Sequence, residues 1–367
     1  MYKIAIYTIC KDELVNVDKM KSMWEADYIC VLDTGSTDGT YELLLQWQQK
    51  DPSKVILAQK EIKPWRFDVA RNESMKLIPK DADICLSTDL DELAPTWAEK
   101  FREAWYDGCQ RGSYLYAWSH KDNGEPGMTF WYDKAHDNSG SWSKYPVHEY
   151  LVSPIPASNW CKLPDNFIAL HHYPLTKTSR LNYLPLLELR AKEDPDDYYG
   201  LVYLAHEYFY DEQYEKCINF INTKVLPKLT APGVEDEMEC VPDLYLFMGN
   251  AARKLGRDNE AEQYFLNGIA RKKNFRDNYI RLGQLYYDWG RYEDCIKIIN
   301  DGLLYSRREY TLETDEAWSL PDILCLAYWA IGARHMSLVC AETAYRFNPT
   351  DERLKSNVEI LKKDLIL

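Results

Sequence analysis

Apolar residues in the first half of the chain fall in short runs separated by segments of helical spacing. Lys3 to Ile9, Tyr28 to Leu32, Val55 to Ala58 and Asp83 to Leu86 read as buried strands, each a brief run rich in apolar or β-branched side chains. Between them Leu14 to Glu25, Tyr41 to Lys50 and Phe67 to Leu77 carry helical patterns. Strands alternating with helices predict an α/β class, a parallel sheet with helices on its faces. The pattern breaks after Tyr114 to Trp118. Residues 119–146 are rich in Gly, Asn, Asp, Ser and Trp and are expected to form a long irregular loop, of the kind that serves as a lid or binding loop.

From about Leu181 only helical patterning remains, and it repeats. Met248 to Ala261 returns as Leu282 to Cys295, with the turn glycines Gly256 and Gly290 34 positions apart, the tetratricopeptide period. Leu204 to Ile218 reads as an earlier copy and Leu326 to Ala341, turning at Gly332, as a later one. Their offsets put insertions at 226–243 and 306–321. A lone helical hairpin cannot bury its apolar face, so the copies must stack. Asn348-Pro349-Thr350-Asp351 opens a final helix, with proline suited to its first turn. The proline-bearing stretch Tyr173 to Asp197 is the expected junction, which divides the chain into domains 1–175 and 176–367.

With 367 residues, 46% of them hydrophobic and 14% aromatic, the chain can bury two cores. A formal net charge of -14 argues against nucleic acid or an anionic membrane surface as partner. It leaves room for a phosphate ligand whose charge a metal offsets locally. The ten cysteines show no Cys-x-x-Cys spacing and read as small buried hydrophobes in a reducing compartment. Met1 to Cys10 has the look of a strand, not a signal peptide, and no apolar stretch is long enough to span a bilayer. A cytoplasmic location is the expectation.

The candidate chemistry sits at the strand ends. Asp89 and Asp91 follow the apolar run Ile84 to Leu86, where open α/β sheets bind ligands. Paired acids there suit a hard divalent cation holding phosphate oxygens, and equally suit the acidic start of a solvated helix. In Asp33-Thr34-Gly35-Ser36-Thr37-Asp38-Gly39-Thr40 an acid could accept a hydrogen bond from a nucleobase, or the string could be a helix cap and tight turn. Asp68 and Arg71 lie one helical turn apart and share a face, placing Arg71 to meet a diphosphate or to form a surface ion pair. Glu149 could take a proton from an acceptor hydroxyl or thiol, or simply end a loop in solvent. His171 and His172 could complete a metal shell. Neighbours on a strand face opposite ways, so one of the two would reach it.

Taken in chain order, residues 1 to about 175 resemble a family 2 glycosyltransferase of the GT-A fold. The resemblance lies in Cys10-Lys11-Asp12-Glu13, Val31-Leu32-Asp33-Thr34-Gly35-Ser36-Thr37-Asp38-Gly39-Thr40, Phe67-Asp68-x-Ala70-Arg71-Asn72, Asp89-x-Asp91-Glu92, Val147-His148-Glu149 and His171-His172-Tyr173. With the repeats, the whole chain is similar to bacterial and phage transferases that include peptide S-glycosyltransferases. The fold implied is a GT-A domain, Rossmann-like with a mostly parallel sheet, followed by an all-α tetratricopeptide-like domain.

The function implied is inverting transfer of a hexose from a nucleotide-sugar, by resemblance UDP-linked, to a peptide or glycan acceptor. Thr8, Asp33, Asp68, Arg71 and Asp89 would bind the nucleotide-sugar. Asp91, with Asp89 and one of His171 and His172, would hold Mn²⁺ or Mg²⁺ against the diphosphate. Glu149 would be the base. Trp118, Trp131 and Trp142 would close over the sugar, and the repeats would present the acceptor or form a homodimer. The family commonly reads Leu-Asp-Ala-Asp-Glu where this chain has Thr88-Asp89-Leu90-Asp91-Glu92, and it commonly has a glycine that is missing before Tyr173, which leaves the matching histidine open. Two other readings stand beside it. One is a repeat scaffold with an inactive transferase domain. The other is a nucleotidyltransferase, whose glycine-rich phosphate loop has no counterpart in Thr8-Ile9-Cys10-Lys11-Asp12-Glu13.

Overall fold

The apolar runs of the first half assemble into one sheet in the computed structural model of the chain, which describes residues 1–94, 96–120, 124–153, 158–173, 183–229, 240–305 and 318–365. β1 (Ile4–Cys10), β2 (Tyr28–Asp33), β3 (Val55–Gln59) and β4 (Ile84–Ser87) pair in parallel, in the order β3-β2-β1-β4. Ile4, Ile6, Ile29, Val31, Ile84 and Leu86 are fully buried, as strands covered on both faces require. α1 (Leu14–Val17) runs into a 3-10 turn (Asp18–Glu25), and α2 (Thr40–Lys50) and α3 (Phe67–Met75) connect the strands.

Beyond β4 the sheet is mixed, which corrects the expectation of a mostly parallel one. The remaining members are β5 (Glu92–Leu93), β6 (Arg111–Ala117), β7 (Thr129–His136), β10 (Trp160–Lys162) and β11 (Ile168–His172), while β8 (Trp142–Lys144) and β9 (Tyr150–Val152) form a separate ribbon. β7 lies antiparallel between β4 and β6, β11 is parallel to β6, and β5 is antiparallel to β11. The expected irregular loop over 119–146 therefore contains β7 and β8. Its turn residues masked Thr129-Phe130-Trp131-Tyr132, which is aromatic and β-prone. α4 (Ala98–Ala104) and α5 (Tyr183–Glu193) complete the first of two compact units, Met1–Lys192 and Glu193–Leu367.

Two successive reversals, β4 to β7 and β7 to β6, leave β6 and β11 running in the direction of β4. The carboxyl ends of β4, β6 and β11 thus open on the same sheet edge. That edge carries Asp89, Trp118 and His172.

The second unit is helical. It comprises α6 (Tyr198–Tyr210), α7 (Tyr214–Phe220) continuing through a π-helical turn into α8 (Leu226–Leu229), and α9 (Val241–Lys254), α10 (Asp258–Arg271), α11 (Arg276–Asp288), α12 (Tyr292–Tyr305), α13 (Ser319–Ala330), α14 (Arg334–Phe347) and α15 (Glu352–Asp364). Gly256, Gly290 and Gly332 turn their hairpins at φ +72, +72 and +78°. Each turn closes with the same bond at 2.9 Å, from Arg257, Arg291 and Ala333 N–H to the carbonyls of Ala252, Tyr286 and Tyr328. The expected insertions fall largely at 230–239 and 306–317, outside the described residues, as do 174–182 of the expected junction.

Candidate functional site

Arg71 organises the sheet edge. α3 packs on β1 and β2 and buries the guanidinium, which then meets acceptors from two distant segments. Nη1 donates to the Thr88 carbonyl at 3.0 Å, Nη2 to Asp89 Oδ1 at 2.5 Å, and Nε to Glu149 Oε1 at 3.1 Å. Burial acts to raise the Asp89 carboxyl, but the charge of Arg71 prevails and holds it down at about 2. Burial likewise opposes the Arg71 charge, and Asp89 and Glu149 overcome it, so Arg71 is fixed as a cation. Among the described residues Glu149 Oε2 takes no hydrogen bond.

The segment that presents Glu149 is clamped. Tyr145 and His148 adopt φ of +84 and +48°. Arg190 of α5, itself buried, donates from Nη1 to the carbonyls of Val147 at 3.0 Å and His148 at 2.8 Å, with its guanidinium 4.0 Å from the Tyr145 ring centre. Phe67 N–H donates to the Pro146 carbonyl at 3.0 Å. Asn72 holds β8 through two bonds to the Ser143 backbone, of 2.9 and 2.7 Å.

Asp91 turns away from Arg71 toward His172, with Oδ2 to Nε2 at 3.4 Å. Burial would lower the His172 imidazole, but its bond to Asp91 raises it above its ordinary value. His172 Nδ1 lies 3.2 Å from the Trp118 carbonyl, and the Trp118 ring stacks on it at 4.6 Å. His171 points elsewhere, pairing Nδ1 with His120 Nε2 at 2.9 Å. Strand alternation separates the two rings as expected, and it is His172 that meets the acid. Asp91 and His172 offer two donors with suitable chemistry for Mn²⁺ or Mg²⁺, ions that commonly use one or two protein carboxylates and take further oxygens from phosphate and water. Among the described residues no group of three or more His, Cys, Asp and Glu could hold a metal. Asp89 is engaged by Arg71 and His171 by His120, which leaves neither beside this pair.

The other expected residues divide. Asp33 is buried. Its Oδ1 accepts from Gly35 N–H at 2.9 Å, Ser36 N–H at 3.0 Å and Gln59 Nε2 at 3.0 Å. Burial opposes its charge and the Ser36 and Gln59 bonds outweigh it, keeping the carboxyl below its ordinary value. It holds the turn, as the cap-and-turn alternative requires. Thr8 is buried in β1, its hydroxyl directed to the Ile9 carbonyl at 3.3 Å. Asp68 shares no ion pair with Arg71. It takes two bonds from Arg66, at 3.0 and 2.8 Å, because it sits in the first helical turn facing the residue before the helix.

Trp131 lies on the face of β7 opposite Phe130 and Tyr132, with Lys162 Nζ 4.0 Å from its ring centre, so alternation takes it away from the acids. Trp142 stands exposed on the β8–β9 ribbon. Trp118 is the tryptophan of the three at the sheet edge, beside Tyr116 and Phe130.

Several residues had no assigned role in the sequence reading. Glu92 turns inward, accepting from the Tyr116 hydroxyl at 2.9 Å and the Asp89 N–H at 3.1 Å. Burial, followed by the charge of Asp89, pushes it up to about 7. Its burial against Tyr116 of β6 needs the pairing of β5 with β11, which no local pattern announces. Phe130 and Lys134 lay in the supposed loop, and Arg190 lay past the expected domain boundary.

Residues 242–275 and 277–308 match the tetratricopeptide repeat family. Among solved structures, the chain is similar to MamA at 16% identity, covering 46% of this chain and 89% of that one with a TM-score of 0.37. It is similar to the APC/C hetero-tetramer Cut9–Hcn1 at 15% identity, covering 50% of this chain and 33% of that one with a TM-score of 0.38. It is also similar to TTC0263, a thermophilic TPR protein of Thermus thermophilus, at 16% identity, covering 50% and 89% with a TM-score of 0.35. No curated protein matches the chain. Within the C-terminal unit, residues 242–308 carry tetratricopeptide repeats. All ten cysteines are free thiols, and no helix among the described residues is long and apolar enough to cross a membrane.

Proposed function

We propose that the N-terminal unit is a metal-dependent inverting glycosyltransferase and that the repeats bind the peptide, protein or glycan it modifies. The observation that carries the reading is the gathering of Asp89, Asp91, Glu149, Arg71 and His172 at one sheet edge, from segments as far apart as residues 71 and 172. A bound Mn²⁺ or Mg²⁺ would neutralise charge developing on the leaving diphosphate. Asp91 and His172 would hold it. Arg71 holds Glu149 through Oε1 and would leave Oε2 available to an acceptor. The acceptor oxygen or sulfur forms its bond to the anomeric carbon as the carbon–phosphate oxygen bond breaks. The acceptor proton passes to Glu149 and the electron pair leaves on the nucleoside diphosphate. Trp118 supplies an aromatic face that excludes water from a pyranose.

The nucleotide, by resemblance UDP, is read by melting temperature. Donor binding should raise it further with Mn²⁺ than without, and Asp91→Asn should abolish the metal-dependent part. Glu149→Gln should bind donor and fail to transfer. If neither UDP- nor GDP-sugars shift the melting temperature in either condition, the transferase reading fails. The second reading, a partner-binding scaffold with an inactive first unit, is favoured by the confinement of the family match to the repeats. Metal-dependent hydrolysis of a nucleotide-sugar by the full chain would remove it.

A further inference from the structure

Lys134 is a cation at the same sheet edge that no step above uses. The antiparallel register sets Cys85 against His136 and Leu86 against Ala135. One step further brings Lys134 alongside Ser87, two positions before Asp89. Its side chain lies on the Tyr132 face of β7, with Nζ 4.7 Å from that ring centre. Among the described residues it makes no ion pair, whereas the Arg71 guanidinium beside it is engaged through three nitrogens. Burial opposes its charge, but Tyr132 and Asp89 more than offset this, and the ammonium stays protonated. Lys134 is half-buried, and a partly desolvated ammonium gains from further hydrogen-bond acceptors. An ammonium is also a compact phosphate ligand.

We propose that Lys134 binds a phosphate oxygen of a nucleoside diphosphate at this edge, independently of any metal held by Asp91 and His172. The inference rests on the transferase reading and adds a separate, metal-free contribution to nucleotide affinity. Two contacts follow with different signatures. The Asp91 contribution disappears on chelation, and the Lys134 contribution persists.

The test is calorimetric titration of the full chain with UDP, GDP, inorganic diphosphate and uridine, each in excess EDTA and in Mn²⁺. Wild type should bind UDP in EDTA, and Lys134→Met should weaken that binding by about tenfold or more. Lys134→Arg should retain most of it. Asp91→Asn should remove only the Mn²⁺ increment. Uridine affinity should be the same in wild type and Lys134→Met, which separates a phosphate contact from structural damage. If Lys134→Met destabilises the protein, Lys134→Gln carries the same comparison. Equal UDP affinities of wild type and the neutral variants in EDTA would overturn the assignment, as would wild-type binding that requires Mn²⁺. Both of those outcomes leave the transferase reading standing. Failure of UDP, GDP and inorganic diphosphate to bind wild type in either condition would overturn both.

Discussion

Arg71 Nε donates to Glu149 Oε1 at 3.1 Å, joining a helix after β3 to a loop 78 positions later. The same guanidinium serves Asp89 and Thr88, so a single side chain sets the geometry of two acids. Removing it leaves both carboxylates without their hydrogen-bonded counter-charge, and among the described residues the nearby Lys134 ammonium pairs with neither. Arg71→Met should cost about 3–5 kcal/mol of stability, the range for one partner lost from a buried ion pair. Urea unfolding measures it. Arg71→Lys should recover little, because a point ammonium cannot reach three acceptors in a planar fork.

Arg190 provides a sharper division between binding and turnover. Its bonds to the Val147 and His148 carbonyls hold the strained approach to Glu149 and touch neither Asp91 nor His172. Arg190→Met should cost about 1–3 kcal/mol for the orphaned carbonyls. Under the transferase reading it should lower kcat while leaving the metal-dependent donor shift in melting temperature intact. Loss of that shift together with kcat would mean that α5 supports the whole edge and not the Glu149 segment.

Much of this edge was legible and some of it was not. The acids after β4 could be read as a candidate because a short apolar run places Asp89 and Asp91 at a strand end, although the same pair suits the acidic start of a solvated helix equally well. The 34-residue spacing exposed the repeats because Gly256 and Gly290 occupy the same left-handed turn position. β7 was missed because Gly, Asn and Asp on both sides of Thr129–His136 outweighed its alternation. With it went the mixed sheet and Lys134. Asp33 and Asp68 illustrate a different limit. Residue type shows that a carboxylate can accept hydrogen bonds, but only the fold shows that Gly35, Ser36, Gln59 and Arg66 donate them.

His136 predicts an acid sensitivity. It is buried on β7, with Nδ1 2.6 Å from the Asp137 carbonyl and Nε2 3.1 Å from the Tyr7 hydroxyl. Burial is the dominant cause that pushes its imidazole from 6.5 down to about 4. The unfolded chain therefore binds a proton at higher pH than the folded one. The stability tied to neutral His136 is complete above about pH 6.5 and is lost as pH falls toward about 4, by roughly 3 kcal/mol in all. His136→Gln should flatten the fall between about pH 6.5 and 5 relative to wild type. Parallel urea-midpoint curves for the two proteins would show that other groups carry the acid transition.

The repeats make two opposite predictions about glycine. The α6–α7 turn closes like the others, Gln213 N–H to the Tyr208 carbonyl at 2.8 Å, but the left-handed position holds Glu212 at φ +60°. A side chain there costs about 1 kcal/mol. Glu212→Gly should therefore raise stability by about 0.5–1 kcal/mol, even though glycine also loosens the unfolded chain. Gly283 on α11 is required for the reverse reason. A Cβ at that position would stand 2.3 Å from Ile299 Cδ1 on α12, and Gly249 on α9 meets Phe265 on α10 at the same distance. These pairs occupy equivalent repeat positions, so a tight helix crossing recurs where the side chain is absent. Gly283→Ala should cost about 1–3 kcal/mol through overpacking, despite the better helix propensity of alanine. Pairing it with Ile299→Val should recover part of that loss, because the shorter side chain withdraws the atom that a Cβ would strike. A double-mutant cycle on the melting transition reads the coupling, and additive losses would place the strain elsewhere in the hairpin.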